Sequence, residues 1–230
     1  ITVAGTLKAA VLRVCPDAEG LTGCSRTDAG VHALRYCASF KTASSVPIER
    51  LPRAINTYLP PDIAVSDAAA APDSFNAISS CEKKEYEYKI QNSALRDPFL
   101  SGRAYFYPRE LDIDKMRRAA EDFVGTRDFA AVRSVGTETK TTIRTVHLCE
   151  VEKSGGIVTM RICADGFLYN MARAIAGTLI YVSEGKIAPD GVPRLLMSRE
   201  RSLAGPTAPP EGLYLSKIWY GGEIGEMMRR

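Results

Sequence analysis

The chain has 230 residues, 45% hydrophobic and 25% charged, enough apolar material for a buried core and proportions that exclude a disordered or fibrous class. A net charge of +3 permits a polyanionic partner without requiring one. No run approaches the 18 or so consecutive apolar residues of a membrane span, and no charged-then-apolar leader opens the chain. Six scattered cysteines without CxxC spacing read as reduced thiols of a cytosolic protein. With two histidines, His32 and His147, set apart from other ligands, no metal is expected. The lack of a GxGxxG or P-loop motif implies no cofactor, which leaves the chemistry to side chains.

In chain order, residues 6–14 read as a short amphipathic helix, and residues 31–40 alternate with period two as a strand. Residues 47–58 predict a second helix, with Pro47 suited to its first turn and Pro60-Pro61 ending it. Strands are predicted over 63–71, 85–90 and 103–107. Asp112 is placed to cap a helix over 113–124, whose Ile113, Met116, Ala120 and Phe123 share a face. Strands over 142–151 and 156–164 flank a Ser154-Gly155-Gly156 turn. A helix over 167–183 carries Leu168, Ala172, Ile175, Leu179 and Val182 as its apolar stripe. A short helix at 192–197 and a strand at 213–219 complete the chain. This order predicts an α+β fold built from two ferredoxin-like αβ sandwich units, residues 1–100 and 101–230, although no sequence repeat links the halves.

The most informative segment is GCSRTDAGVHAL, residues 23–34. It sets Arg26 two residues before Asp28, in a turn bounded by Gly23 and Gly30 and feeding a predicted strand. A nearby guanidinium favours the ionised form of a carboxylate, and an ionised, aimed carboxylate can serve as nucleophile or base. On spacing alone, an ordinary Arg–Asp pair in a surface turn is the stronger explanation. Basic residues also pair at Lys83-Lys84, Arg117-Arg118, Arg199 with Arg201, and Arg229-Arg230. Each pair taken singly reads as a solvated face, and only several on one surface would make a footprint for phosphates.

The string itself resembles the catalytic signature of the tRNA pseudouridine synthase A family, and residues Arg26 through Ala33 match RTDAGVHA without a mismatch. Further segments resemble the same family in the same order. They are KKEYEYKIQN at 83–92, DFAAVRSVGTETKTTIRTV at 128–146, DGFLYNMARAIAG at 165–177 and EGLYL at 211–215. The resemblance implies a cofactor-free isomerisation of uridine to pseudouridine at positions 38, 39 and 40 of the tRNA anticodon arm. It further implies a cytoplasmic homodimer, with two fused units around a central RNA-binding cleft.

Residue by residue, the resemblance makes Asp28 the essential catalytic group and pairs it with Arg173. It sets Tyr86 against the base, Leu213 beside it, and Arg26 in contact with the RNA around a flipped nucleotide. Without the resemblance, these residues have plainer readings. Tyr86 would be a cross-strand core aromatic, Arg173 an exposed helical arginine about 100° from the apolar stripe, and Leu213 a strand-core leucine. His32 fits loop packing at least as well as catalysis. The family's opening strand, with its Tyr-Asp-Gly and Gly-Trp-Gln segments, has no match before ITVAGTLKAAV, and residues preceding Ile1 are the expected explanation. Ile78 stands where the family often has arginine, and Ala172 where valine is common. The alternative from another class is a tRNA-binding or remodelling module of the same fold without turnover.

Overall fold

The computed structural model describes residues 1–134, 136, 139–222 and 225. It is an α+β protein whose chain divides by contacts into two units. Unit one comprises Ile1–Arg26, Tyr36–Cys81 and the segment from Tyr220, and unit two comprises Thr27–Arg35 and Glu82–Trp219.

Unit one contains helix α1 (Val3–Val14), strands β1 (Glu19–Gly23) and β3 (Ala38–Lys41), and helix α2 (Leu51–Asn56). Thr2 caps α1, its hydroxyl accepting from the Gly5 N–H at 3.1 Å, so the helix starts three residues before the predicted boundary. β1 and β3 pair antiparallel, with Gly23 opposite Ala38. Ala10, Val11, Cys15, Leu51 and Ile55 form the buried centre, and Phe40, Leu59 and Val65 pack against it.

Two sequence expectations fail here. Residues 31–40 are not one strand: β2 stops at Ala33, where Leu34 and Arg35 both donate to Leu215 O, and pairing resumes only at Ala38. Nor do residues 63–71 form a strand. Asn56 takes the place of a strand partner there, its amide nitrogen donating to Val65 O at 2.8 Å and its oxygen accepting from Val65 N at 2.7 Å.

Unit two is organised on a seven-stranded mixed sheet. Its strands are β2 (His32–Ala33), β4 (Cys81–Gln91), β5 (Tyr105–Phe106), β6 (Gly125–Asp128), β7 (Ile143–Ser154), β8 (Ile157–Ala164) and β9 (Leu213–Tyr220). The order is β2-β9-β4-β8-β7-β6, with β5 paired to the end of β4. Tyr88, Met160 and Val151 lie opposite one another on β4, β8 and β7 and are all buried, so they share an apolar face. The other face carries charge. Arg161 bonds Glu150 at 2.7 Å and Glu152 at 2.9 Å, and Lys89 sits over the Tyr214 ring at 4.5 Å.

Helix α3 (Ile113–Glu121) packs on β7 and against helix α4 (Met171–Ser183), with Asp112 as its cap, accepting from Lys115 N at 3.1 Å. The sequence reading ran α3 on to Val124; the chain instead turns at Glu121 and enters β6 at Gly125, φ +111. α4 begins four residues after the predicted start because Asn170 is left-handed at φ 60, which no α-helical residue can be. Helix α5 (Val192–Ser198) follows, and a loop over 204–209 returns along α4 into β9. Gly205 and Gly177 let the two backbones touch: a Cβ on Gly177 would fall 1.8 Å from Pro206 O.

Candidate active site

Asp28 lies in the turn that leads into β2. Val31 N donates to Asp28 O at 3.1 Å, and Gly30 adopts φ +84, a conformation that disfavours any side chain. A Cβ at Gly30 would also stand 3.1 Å from Pro210 Cγ. Beyond the turn, β2 pairs in parallel with β9 through His32 and Tyr214, whose rings stack 4.5 Å apart at 17°. His32 Nε2 lies 2.9 Å from Gly102 O. His32 therefore fastens the turn to the sheet, and packing accounts for its place in the motif.

The Asp28 side chain is 38% exposed and meets Arg173, which is 14% exposed. Arg173 Nη1 donates to Asp28 Oδ2 at 3.1 Å and to Asn170 Oδ1 at 2.9 Å, and its Nε donates to Ala208 O at 2.7 Å. Arg173 thus lies in the first turn of α4 facing the motif turn, not out in solvent as its helical spacing alone suggests. The 204–209 loop is tied down at the same point, because Ala208 N donates to Arg173 O at 3.2 Å. Asn170 Nδ2 in turn donates to Ser134 Oγ at 3.0 Å. Among the described residues, the ion pair made by Asp28 is with Arg173, 145 positions away, rather than with its sequence neighbour Arg26. Charge-assisted bonds of this kind hold a carboxylate in a defined orientation.

Tyr86 is buried at 6% exposure and lies edge-on to Phe167, 4.8 Å between centroids and 78° between planes. Phe167 belongs to the segment that also carries Asn170 and Arg173, so this contact joins β4 to the base of α4. Leu213 opens β9 and is buried. Arg26 is exposed and ends the first stretch of unit one.

The paired basic residues largely serve internal partners. Arg117 bonds Asp114 and Val151 O, Arg118 bonds Asp122, and Lys83 covers the Trp219 ring at 4.8 Å. Arg201 bonds Gly205 O and Thr207, while Arg199 bonds Asp128 at 2.9 Å. Burial disfavours the ionised form of Asp128 and pushes its pKa up, but the Thr142 hydroxyl, the Ala130 N–H and Arg199 outweigh it and hold the carboxyl below its usual range. Arg229-Arg230 lies outside the described residues, as do Val135, Thr137 and Glu138 of the 128–146 segment. Among the described residues no group of three or more His, Cys, Asp or Glu side chains is placed to hold a metal, and no helix is long and apolar enough to cross a membrane.

The sequence reading missed Asn170, Ser134 and Ala208. One signal was available for Asn170: an asparagine directly before a helix is among the few non-glycine residues that tolerate the left-handed region. Ala208 acts through its backbone, which no side-chain pattern reports.

A family profile described as tRNA pseudouridine synthase matches residues 119–221. The chain is 43% identical over 219 residues to the tRNA pseudouridine synthase A of Caldicellulosiruptor bescii, covering 95% of this chain and 90% of that protein. It is 44% identical over 220 residues to the enzyme of the same name from Thermoanaerobacter sp. strain X514, covering 96% and 90%. The counterpart from Geotalea uraniireducens is 41% identical with the same coverage.

Proposed function

The chain belongs to the tRNA pseudouridine synthase A family and is an isomerase of tRNA uridines; on that premise we propose that Asp28 is its catalytic group and that it acts on uridines 38, 39 and 40 of the anticodon arm. The reaction breaks the C1′–N1 bond, turns the uracil and forms a C1′–C5 bond. C5 loses a proton, N1 gains one, and nothing is consumed. An anionic group at the ribose is needed, either to attack C1′ or to remove a ribose proton, and Asp28 supplies it. The observation that carries this assignment is the Asp28–Arg173 ion pair, held on a turn whose own geometry is fixed by Gly30 and β2.

Tyr86 and Leu213 take the base side. The ring of Tyr86, set edge-on by Phe167, holds the loosened uracil, and its hydroxyl is suited to relay the C5 proton. Arg26 braces the RNA where the target nucleotide leaves the stack, since C1′ is out of reach inside a paired stem. The finer architecture, two ferredoxin-like units fused around an RNA-binding cleft, belongs to the same proposal. In unit two it is supported by the succession β4-α3-β7-β8-α4-β9 and the sheet order β9-β4-β8-β7. A cytoplasmic homodimer sharing the tRNA completes the reading.

Asp28→Asn tests the core of it. The swap keeps shape and removes the anionic oxygen, so tRNA binding and thermal stability should persist while tritium release from uracil-C5-labelled tRNA stops. Activity within about tenfold of the wild type, a loss of only about 1.4 kcal/mol, would remove Asp28 from the mechanism.

A further inference from the structure

We infer that Asn170 is a positioning residue for the reaction, acting on Asp28 through Arg173, with Ser134 as its anchor; the inference rests on the catalytic assignment of Asp28 made above. A guanidinium is rigid and planar, so two of its N–H directions determine the rest. In Arg173 those two are Nε toward Ala208 O at 2.7 Å and one Nη1 hydrogen toward Asn170 Oδ1 at 2.9 Å. The second Nη1 hydrogen is then directed at Asp28 Oδ2 with no torsion left to vary. Asn170 is therefore half of the clamp that decides where the carboxylate is held.

Three further observations indicate that Asn170 is built for this. It holds a left-handed conformation at φ 60, which few non-glycine residues adopt and which is retained when the surroundings enforce it. Its amide is oriented by its own contact, Nδ2 donating to Ser134 Oγ at 3.0 Å, so the oxygen is turned toward Arg173. Ser134 N also donates to Tyr169 O at 3.0 Å, fixing the segment that carries the serine beside the one that carries the asparagine. The result is a relay from Ser134 through Asn170 and Arg173 to Asp28. It ties the 128–146 segment to the orientation of the reacting group.

The test uses single-turnover tritium release at saturating tRNA, with tRNA dissociation constants measured in parallel. Glycine accepts φ 60 readily, so Asn170→Gly removes the amide while keeping the backbone. The single-turnover rate should fall about 10–100-fold with the dissociation constant changed less than threefold. Arg173→Lys should be slow by itself. In the Asn170→Gly, Arg173→Lys double variant the rate should match Arg173→Lys alone within about twofold, because a residue that acts through Arg173 has nothing left to act on. Ser134→Ala, which leaves the left-handed residue itself unchanged, should slow the reaction about 3–10-fold and keeps the inference testable should Asn170→Gly fold poorly. Wild-type rates for Asn170→Gly or Ser134→Ala, or multiplicative losses in the double variant, would overturn the positioning role. Asp28→Asn, run alongside, separates the two ideas: if it stays active the catalytic assignment is wrong, and if it is inactive while Asn170→Gly is normal only the positioning role is wrong.

Discussion

Replacing Gly177 with alanine sets two physical effects against each other. Gly177 lies in the middle of α4, where alanine is favoured over glycine by about 1 kcal/mol in an unconstrained helix. The new methyl would stand 1.8 Å from Pro206 O, so α4 and the 204–209 loop must separate by more than about 1 Å. That displacement falls on the bonds joining the two segments: Gly205 N to Thr178 Oγ1 at 3.1 Å, Ala208 N to Arg173 O at 3.2 Å, and Arg173 Nε to Ala208 O at 2.7 Å. Overpacking of this kind costs about 1–3 kcal/mol, and each hydrogen bond lost adds about 1 kcal/mol. The clash outweighs helix propensity, leaving a net loss of about 2–4 kcal/mol. In a chain of this size that lowers Tm by about 4–16 °C. Thermal unfolding followed by circular dichroism measures the stability, and single-turnover tritium release on the folded fraction measures the site. The rate should fall as well, because the loop carries one of the acceptors that hold Arg173. An unchanged or higher Tm would show that the loop moves aside without resistance, and the link between loop packing and Arg173 would be wrong.

Tyr86→Phe should bind tRNA nearly as the wild type but turn over far more slowly, and Tyr86→Ala should lose both properties; normal turnover by the phenylalanine variant would limit Tyr86 to packing. Binding of tRNA should weaken steeply with salt, each phosphate contact contributing about 0.7–0.9 to the slope of log K against log salt. Arg26→Ala should reduce the single-turnover rate at saturation as well as affinity, and a change in affinity alone would make it an ordinary phosphate contact. The Glu184 carboxyl is held below its usual range by Lys186 and then by the Tyr107 hydroxyl, so its stabilising effect is present above the ordinary glutamate range and lost as pH falls through its lowered value in the folded protein. The gap in urea midpoint between the wild type and Glu184→Gln should accordingly close as pH falls below the ordinary glutamate range; a gap constant with pH would refute that linkage.

Local signals made much of unit two legible. β4, β7 and β8 alternate with period two over Tyr86–Ile90, Cys149–Glu152 and Val158–Ile162, and Gly155 at φ +56 sits in the turn between β7 and β8 that the sequence marks. Asp112 announces α3 because a cap is a contact over three residues. The RTDAGVHA string and the 165–177 segment pointed to the family, and so to Asp28 and Arg173 as candidates, because long matching strings carry information that composition and periodicity lack. Tertiary structure decided the rest. Residues 31–40 alternate like one strand but are divided between two sheets, since two successive amides are taken up by Leu215 O. Residues 63–71 look extended, yet a side chain satisfies their backbone and no strand forms. Which arginine meets Asp28 depends on a closure over 145 residues, and the aim of that arginine depends on a backbone carbonyl and a left-handed asparagine. Periodicity reports contacts a few residues apart; a planar guanidinium oriented by partners from three segments exists only once those segments have packed.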